Sequence, residues 1–512
     1  MTAARPPAAP APLRTLVVGA GEAGRALARD LLRVPQFGLR PVGFLDDDPG
    51  KGDPAGAAVD GVRLPLLGPL ERTGALVAAH RIEVVVVAIP GLPPHRFARV
   101  AEAAAAAGAS VRYLPSFIAA LRRDVVGGDL RALDVNQLIG RQEVHVVGAE
   151  ARRSIAGRRV LVTGAGGSIG SELCRQVHAF APSRLFLLDH DESNLHRLQL
   201  ELFGAPRHDE DLVICDIRDR SRLEHVFDRL RPEVVFHAAA HKHLPMLELH
   251  PCEGVKSNVL GTDRLVRVAS RYGVERFVLI STDKAADPIS VLGATKRLAE
   301  LIVQAGRDGH GGPAGPSGRD GGTVCTAVRF GNVLGSRGSL LDVLAAQLRS
   351  GRPVTVTHPD MTRFFMTIEE AAGLVLEAGR LARGGEVFVL DMGRPVRILD
   401  LVQRYARQLN AGPPRIRFTG LRPGEKLDET LFSVHERRLP TAHPRIHATA
   451  PRDGYDARAV HRELPGLYAA AWQDDATEVR RRLARLLPGF PLPEPAAPDR
   501  QLVGAVPYPD DF

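Results

Sequence analysis

Residues 281–300, STDKAADPISVLGATKRLAE, concentrate side chains that can move protons. Thr282, Asp283 and Lys284 offer a hydroxyl, a carboxylate and an amine in succession, and Lys296 adds a second amine further on. A carboxylic acid beside an amine can supply a general acid and a general base to one reaction. The apolar run 276–280 before them reads as a strand, and strand ends along one edge of a doubly wound sheet are where active sites form. The competing reading is a turn and a helix cap with no chemistry, and the motifs around the segment weigh against it.

A cofactor site is written upstream. Residues 159–163 form an apolar run that ends in Gly164-Ala165-Gly166-Gly167-Ser168-Ile169-Gly170, with a helix expected from Ser171 onward. Glycines at a strand-to-helix turn leave backbone N–H groups free for a pyrophosphate, and the helix dipole favours the same anion. Gly164, Gly167, Ser168, Ile169 and Gly170 are therefore candidate cofactor contacts. Asp189 ends the next strand, where a carboxylate accepts from the adenosine ribose hydroxyls; this favours NAD over NADP. Asp216 and Ile217 follow another apolar run at the place where adenine would lie. The small residues around Ala238 in VVFHAAA let a cofactor rest against backbone. Lys296 is counted with both the catalytic and the cofactor-binding residues.

These elements require a parallel sheet, and the chain starts one twice. Leu13–Val18 is apolar and is followed by Gly19-Ala20-Gly21-Glu22-Ala23-Gly24, a GxGxxG turn before a helical pattern. GFLDDD places Asp46, Asp47 and Asp48 at a second strand end, and residues 83–89 read as a buried parallel strand. Alternating strands and helices of this kind specify an α/β fold with two Rossmann-type doubly wound parallel sheets in tandem. A lone GxGxxG leaves the first unit open between a ligand site and a Rossmann-shaped domain without one. The expected division is a tail at 1–12, a Rossmann-type domain at 13–115 and a connector at 116–157 that includes LDVNQLIGR (133–141). A catalytic domain with a substrate lobe follows at 158–440, then a helical extension at 441–487 and a tail at 488–512. Residues 307–322, rich in Gly and Pro, are expected as a surface loop.

Composition limits what these motifs can mean. A chain of 512 residues with 44% hydrophobic content can bury more than one core. The net charge of +8 is spread along the chain, so no nucleic-acid partner is expected, although it could help attract an anionic nucleotide. Cys174, Cys215, Cys252 and Cys325 show neither CxxC pairing nor metal-ligand spacing, so no metal is expected and the thiols are read as reduced. With no apolar run of about 18 residues and no signal peptide, a cytoplasmic protein without a membrane span is expected.

Six motifs carry a family resemblance. TGAGGSIGSEL, HAAAHKHLPMLE, ISTDKAADPISVLGATKR, VRFGNVLGSRGS, MTRFFMTIEEA and TGLRPGEKL appear in order and at similar spacing in the bacterial polysaccharide-biosynthesis family of UDP-N-acetylglucosamine 4,6-dehydratases, which the chain resembles from Leu13 to about Arg438. The resemblance implies an extended short-chain dehydrogenase/reductase domain with a smaller substrate-binding lobe, bound NAD, and Thr282, Asp283 and Lys284 as the catalytic triplet. It places Lys242 and His243 in a loop facing substrate and nicotinamide, and implies that Asn332, Arg337, Arg363 and Arg422 line the nucleotide diphosphate, a task that suits guanidinium forks. A homo-oligomer, a UDP-sugar substrate and an aminotransferase acting on the product are expected as partners. Long members of the family carry transmembrane helices before the first domain, and membrane attachment is not carried over to this chain.

The implied reaction is redox-neutral overall: NAD oxidises carbon 4, water leaves across carbons 5 and 6, and carbon 6 is reduced. Lys284 would take the carbon 5 proton and Asp283 would protonate the departing hydroxyl. Leu292 departs from the wider superfamily, which has tyrosine four residues before the lysine, and from the methionine typical of the long dehydratases. It leaves the base for the 4-hydroxyl open between Thr282 helped by Lys296 and a water. A UDP-N-acetylhexosamine 4-epimerase and a non-catalytic NAD-binding scaffold are the alternatives.

Overall fold

Runs of Val and Leu flanked by glycine turns build two separate parallel sheets. The computed structural model describes residues 12–33, 38–51, 57–59, 62–89, 92, 94–113, 147–206, 209–305, 322–334, 340–350, 352–408, 413–451, 457–487 and 489–491. The connector segment 133–141, nearly all of the two expected tails, and 307–321 of the expected loop lie outside them.

In the first sheet, β1 (Leu13–Val18), β2 (Leu39–Leu45), β3 (Leu66–Gly68), β4 (Val84–Val87) and β5 (Ser110–Tyr113) run in the order β3-β2-β1-β4-β5, all parallel. Val17 packs into one apolar cluster while Leu16 and Val18 pack into another, so both faces are covered. That is why these strands are apolar throughout rather than alternating. Helix α1 (Glu22–Arg33) follows the first glycine turn.

The second sheet repeats the plan and extends it. Its strands are β6 (Arg159–Thr163), β7 (Arg184–Asp189), β8 (Leu212–Ile214), β9 (Val234–His237), β10 (Arg276–Ile280), β11 (Val324–Arg329), β12 (Val387–Leu390), β13 (Glu436–Pro440) and β14 (Ile446–Pro451). The order is β8-β7-β6-β9-β10-β11-β12-β14-β13, parallel as far as β12, with β14 and β13 added antiparallel. The carboxyl ends of β6, β9, β10 and β11 therefore share one edge. Helix α2 (Ser168–Ala179) starts three residues before the expected Ser171, so Ser168, Ile169 and Gly170 form its first turn. Residues 441–487, expected as helical, first supply β14 and only then α-helices at Ala457–Trp472 and Ala476–Leu486.

A smaller lobe surrounds its own apolar cluster, which includes Leu334, Val354, Val356, Leu401 and Tyr405. Its strands pair in twos: Asn332–Leu334 with Phe365–Thr367, and Val354–Val356 with Ile416–Phe418. Among the described residues no helix is long and apolar enough to cross a membrane. All four cysteines are buried free thiols.

Candidate active site

The shared strand edge opens into a cavity of about 630 Å³, within the size range of small-molecule sites. A second recess of about 230 Å³ continues from it, with Gly167, Asn194, Ala238, Ala240 and His241 lining both.

The glycine turn is shaped by close backbone approach. Gly164 has φ of +66°, and a Cβ there would stand 2.6 Å from the Ala239 nitrogen. A Cβ on Gly170 would stand 2.0 Å from the Gly164 oxygen, which no side chain could relieve. Asp189 braces the turn: its Oδ2 accepts from Gly166 N at 2.9 Å, and its Oδ1 accepts from His190 N at 2.8 Å and Asp191 N at 3.1 Å. Asp216 and Ile217 line the second recess with Asp189. Burial opposes the Asp216 charge, but the Arg218 guanidinium, at 2.7 Å, outweighs it and holds the carboxyl below its ordinary value. The helix terminus and the adjoining carboxylates could hold a dinucleotide.

Where β10 ends, Thr282 and Lys284 line the main cavity while Asp283 lies fully buried behind them. Asp283 Oδ1 accepts from Thr282 Oγ1 at 3.0 Å and from Lys284 Nζ at 2.9 Å. Lys284 Nζ also donates to Asn332 Oδ1 at 3.3 Å. Burial disfavours the Lys284 ammonium, but the Asp283 and Glu429 carboxylates prevail and raise its proton affinity above that of an ordinary lysine. The resting centre is thus an ion pair, and Lys284 has no free lone pair until its proton moves.

Lys296 stands on α3 (Val291–Ala305), lines the cavity and donates to the Ile280 carbonyl at 2.6 Å. Burial pushes its ammonium down to about 8, with Glu300 acting in the opposite direction. Leu292, one turn earlier, also lines the cavity and offers no proton. Lys242 and His243 reach the lining from the loop after β9; burial, then the Lys242 charge, lower the proton affinity of His243.

Two of the expected arginines are not at the cavity. The Arg363 guanidinium donates to the carbonyls of Thr362, Lys426 and Leu427 and so clamps a loop. Arg422 is exposed and absent from the lining. Both were expected from motif position, which does not specify where a guanidinium points. Arg337 lies outside the described residues.

Sequence reasoning passed over two polar residues. Asn258, buried in a π-helical turn (Val255–Leu260), bonds the loop that carries Lys242 and His243. π-turns concentrate at functional sites, and a polar residue on a core-facing helix period was the available signal. Glu429, two residues beyond the TGLRPGEKL motif, comes within 3.6 Å of Lys284; nothing in its local spacing marks it.

A family model described as polysaccharide biosynthesis protein matches residues 160–451. The probable polysaccharide biosynthesis protein EpsC of Bacillus subtilis is 41% identical over 447 residues, 86% of this chain and 72% of that protein. Capsular polysaccharide biosynthesis protein CapD of Staphylococcus aureus is 40% identical over 437 residues, 85% of this chain and 71% of its own. Among solved structures, the X-ray structure of Pen from Bacillus thuringiensis matches with a TM-score of 0.51 at 30% identity, covering 59% of this chain and 89% of Pen.

Proposed function

Because the chain belongs to the polysaccharide biosynthesis protein family, we propose that it is a NAD-dependent nucleotide-sugar 4,6-dehydratase acting on UDP-N-acetylglucosamine or a close UDP-N-acetylhexosamine. The observation that carries this reading is the Lys284–Asp283 ion pair at the cavity, beside the glycine turn that could hold the dinucleotide. Bound NAD would supply the hydride acceptor at carbon 4 and the donor at carbon 6.

The chain's own residues would manage the protons. Oxidation at carbon 4 makes the carbon 5 proton acidic. A proton shift within the ion pair leaves Lys284 as a neutral amine and Asp283 as a carboxylic acid. The amine then takes the carbon 5 proton. The acid gives its proton to the departing 6-hydroxyl through Thr282, whose Oγ1 is 3.0 Å from Asp283 Oδ1 and whose side chain lines the cavity. Water leaves and the ion pair is restored. Reduction at carbon 6 then requires a proton at carbon 5, which the Lys284 ammonium returns, and the proton released from the 4-hydroxyl replaces it, so the count closes. With leucine at 292, the 4-hydroxyl proton falls to Thr282 and Lys296, the latter poised near neutrality by its burial. The 4-keto product has the carbonyl that an aminotransferase needs.

Incubating the purified chain with UDP-N-acetylglucosamine and NAD tests the proposal. A product lighter by one water supports it. Formation of UDP-N-acetylgalactosamine at unchanged mass would establish the epimerase, and nucleotide binding without turnover would leave a scaffold.

A further inference from the structure

Asp283 Oδ2 and Glu429 Oε2 are buried carboxylate oxygens without a hydrogen-bond partner, and their carboxylates flank the same amine. Lys284 Nζ is 2.9 Å from Asp283 Oδ1 and 3.6 Å from Glu429 Oε1. Glu429 is only 7% exposed. Keeping a charge there is costly unless it has a partner.

The loop that carries Glu429 is held by other bonds. Lys426 Nζ donates to the Ala286 carbonyl at 2.8 Å, Arg363 donates to the carbonyls of Lys426 and Leu427, and Thr362 Oγ1 donates to Asp428 Oδ1 at 2.5 Å. The Glu429 carboxylate is therefore surplus to anchoring the loop. The cations that interact with it are Lys284 and Lys426.

We propose that Glu429 is a third member of the acid–base centre, a positioning residue whose carboxylate steadies the Lys284 amine opposite Asp283 and governs how readily that amine takes the carbon 5 proton. The proposal rests on the dehydratase reading. Asp283 alternates between acid and carboxylate during turnover, so it cannot serve as a constant counter-charge. Glu429 can, because its carboxylate stands 3.6 Å from the amine and takes no part in the proton relay through Thr282. A fixed negative charge beside an amine favours the protonated product of proton abstraction.

Glu429→Gln keeps the volume and removes the charge. The first readout needs no turnover: the full chain with isotopically labelled lysine is titrated by NMR, with the Lys284 signal assigned from Lys284→Met. The Lys284 ammonium should lose its proton at a pH lower by about one unit or more in Glu429→Gln. The second is exchange of the carbon 5 proton with deuterated solvent, which should slow by about tenfold or more at unchanged NAD content, with partial recovery in Glu429→Asp. Superimposable titrations, or an exchange rate and pH profile equal to those of the parent chain, would overturn the proposal. If the titration shifts but the parent chain never releases water from UDP-N-acetylglucosamine, the dehydratase reading fails and the catalytic part of the proposal falls with it, while the ion pair stands.

Discussion

Asn258 and His241 exchange two hydrogen bonds: Asn258 Oδ1 accepts from the His241 N–H at 2.8 Å, and Asn258 Nδ2 donates to the His241 carbonyl at 3.1 Å. The same Nδ2 donates to Thr295 Oγ1 at 3.1 Å, beside Lys296 on α3. One buried amide thus ties the cavity-lining loop after β9 to the helix that carries the second amine. Asn258→Ala would leave those partners unsatisfied, at a cost of about 1–3 kcal/mol. The expected result is a lower melting temperature and a several-fold rise in KM for the UDP-sugar. A variant with unchanged KM and unchanged bound NAD would make the clasp purely structural.

The last glycine of each turn is sterically fixed, whereas Gly21 is not. A Cβ would approach the backbone oxygen of Gly19 to 1.8 Å from Gly24, and that of Gly164 to 2.0 Å from Gly170, whereas nothing lies within 4 Å of a Cβ on Gly21. Gly170→Ala should therefore abolish NAD retention, measured as nucleotide released from denatured protein. Gly24→Ala should destabilise the first sheet and leave that nucleotide content intact. Gly21→Ala should change stability by no more than about 0.5 kcal/mol. Loss of nucleotide in a folded Gly24→Ala protein would count against placing the catalytic cofactor at Gly164 to Gly170.

Behind the site, Arg329 is fully buried between Glu300 and Glu436, at 2.7 Å and 2.8 Å, and Ser281 Oγ donates to Glu300 at 2.6 Å. Burial opposes the Glu436 charge, but Arg329 prevails and holds its carboxyl at about 2. The folded value lies below the unfolded value of about 4.3, so the stabilisation is complete above that pH and is lost as pH falls toward 2. The difference amounts to about 3 kcal/mol. Urea midpoints should drop between pH 5 and pH 3, and this drop should shrink in Glu436→Gln. An equal drop in both proteins would remove Glu436 as its source.

Most of the strand framework was legible because each parallel strand is a continuous apolar run closed by glycine or a polar turn. Leu13–Val18, Arg159–Thr163 and Arg276–Ile280 fall where the residue pattern puts them. The antiparallel pair β13 and β14 was not legible: ERRLP and IHATAP lack an apolar run and are held by pairing onto β12, a tertiary contact. The same division runs through the site. Thr282 and Lys284 follow directly on an apolar strand and Lys296 lies on the helix after it, so local order places them. Arg363 and Glu429 are not placed by local order, and only the folded chain shows that the arginine donates to loop carbonyls while the glutamate reaches the lysine.

The ion pair itself separates acid from base. Asp283→Asn keeps the side-chain shape and a bond to Thr282 but removes the proton that would reach the 6-hydroxyl. Oxidation at carbon 4 should survive, so NADH absorbance should accumulate with substrate while water loss falls by about 10²–10⁴-fold, the range for a lost general acid. Removing the Asp283 charge also frees Lys284 to deprotonate, so carbon 5 exchange with deuterated solvent should persist. Lys284→Met removes the base, so exchange and water loss should both stop after oxidation. It also leaves Asp283 without its 2.9 Å partner, a buried charge that should lower the melting temperature. Exchange lost in Asp283→Asn but kept in Lys284→Met would reverse the two roles. Near-normal water loss by both variants would remove the pair from the mechanism and leave it as a structural ion pair beneath the cavity.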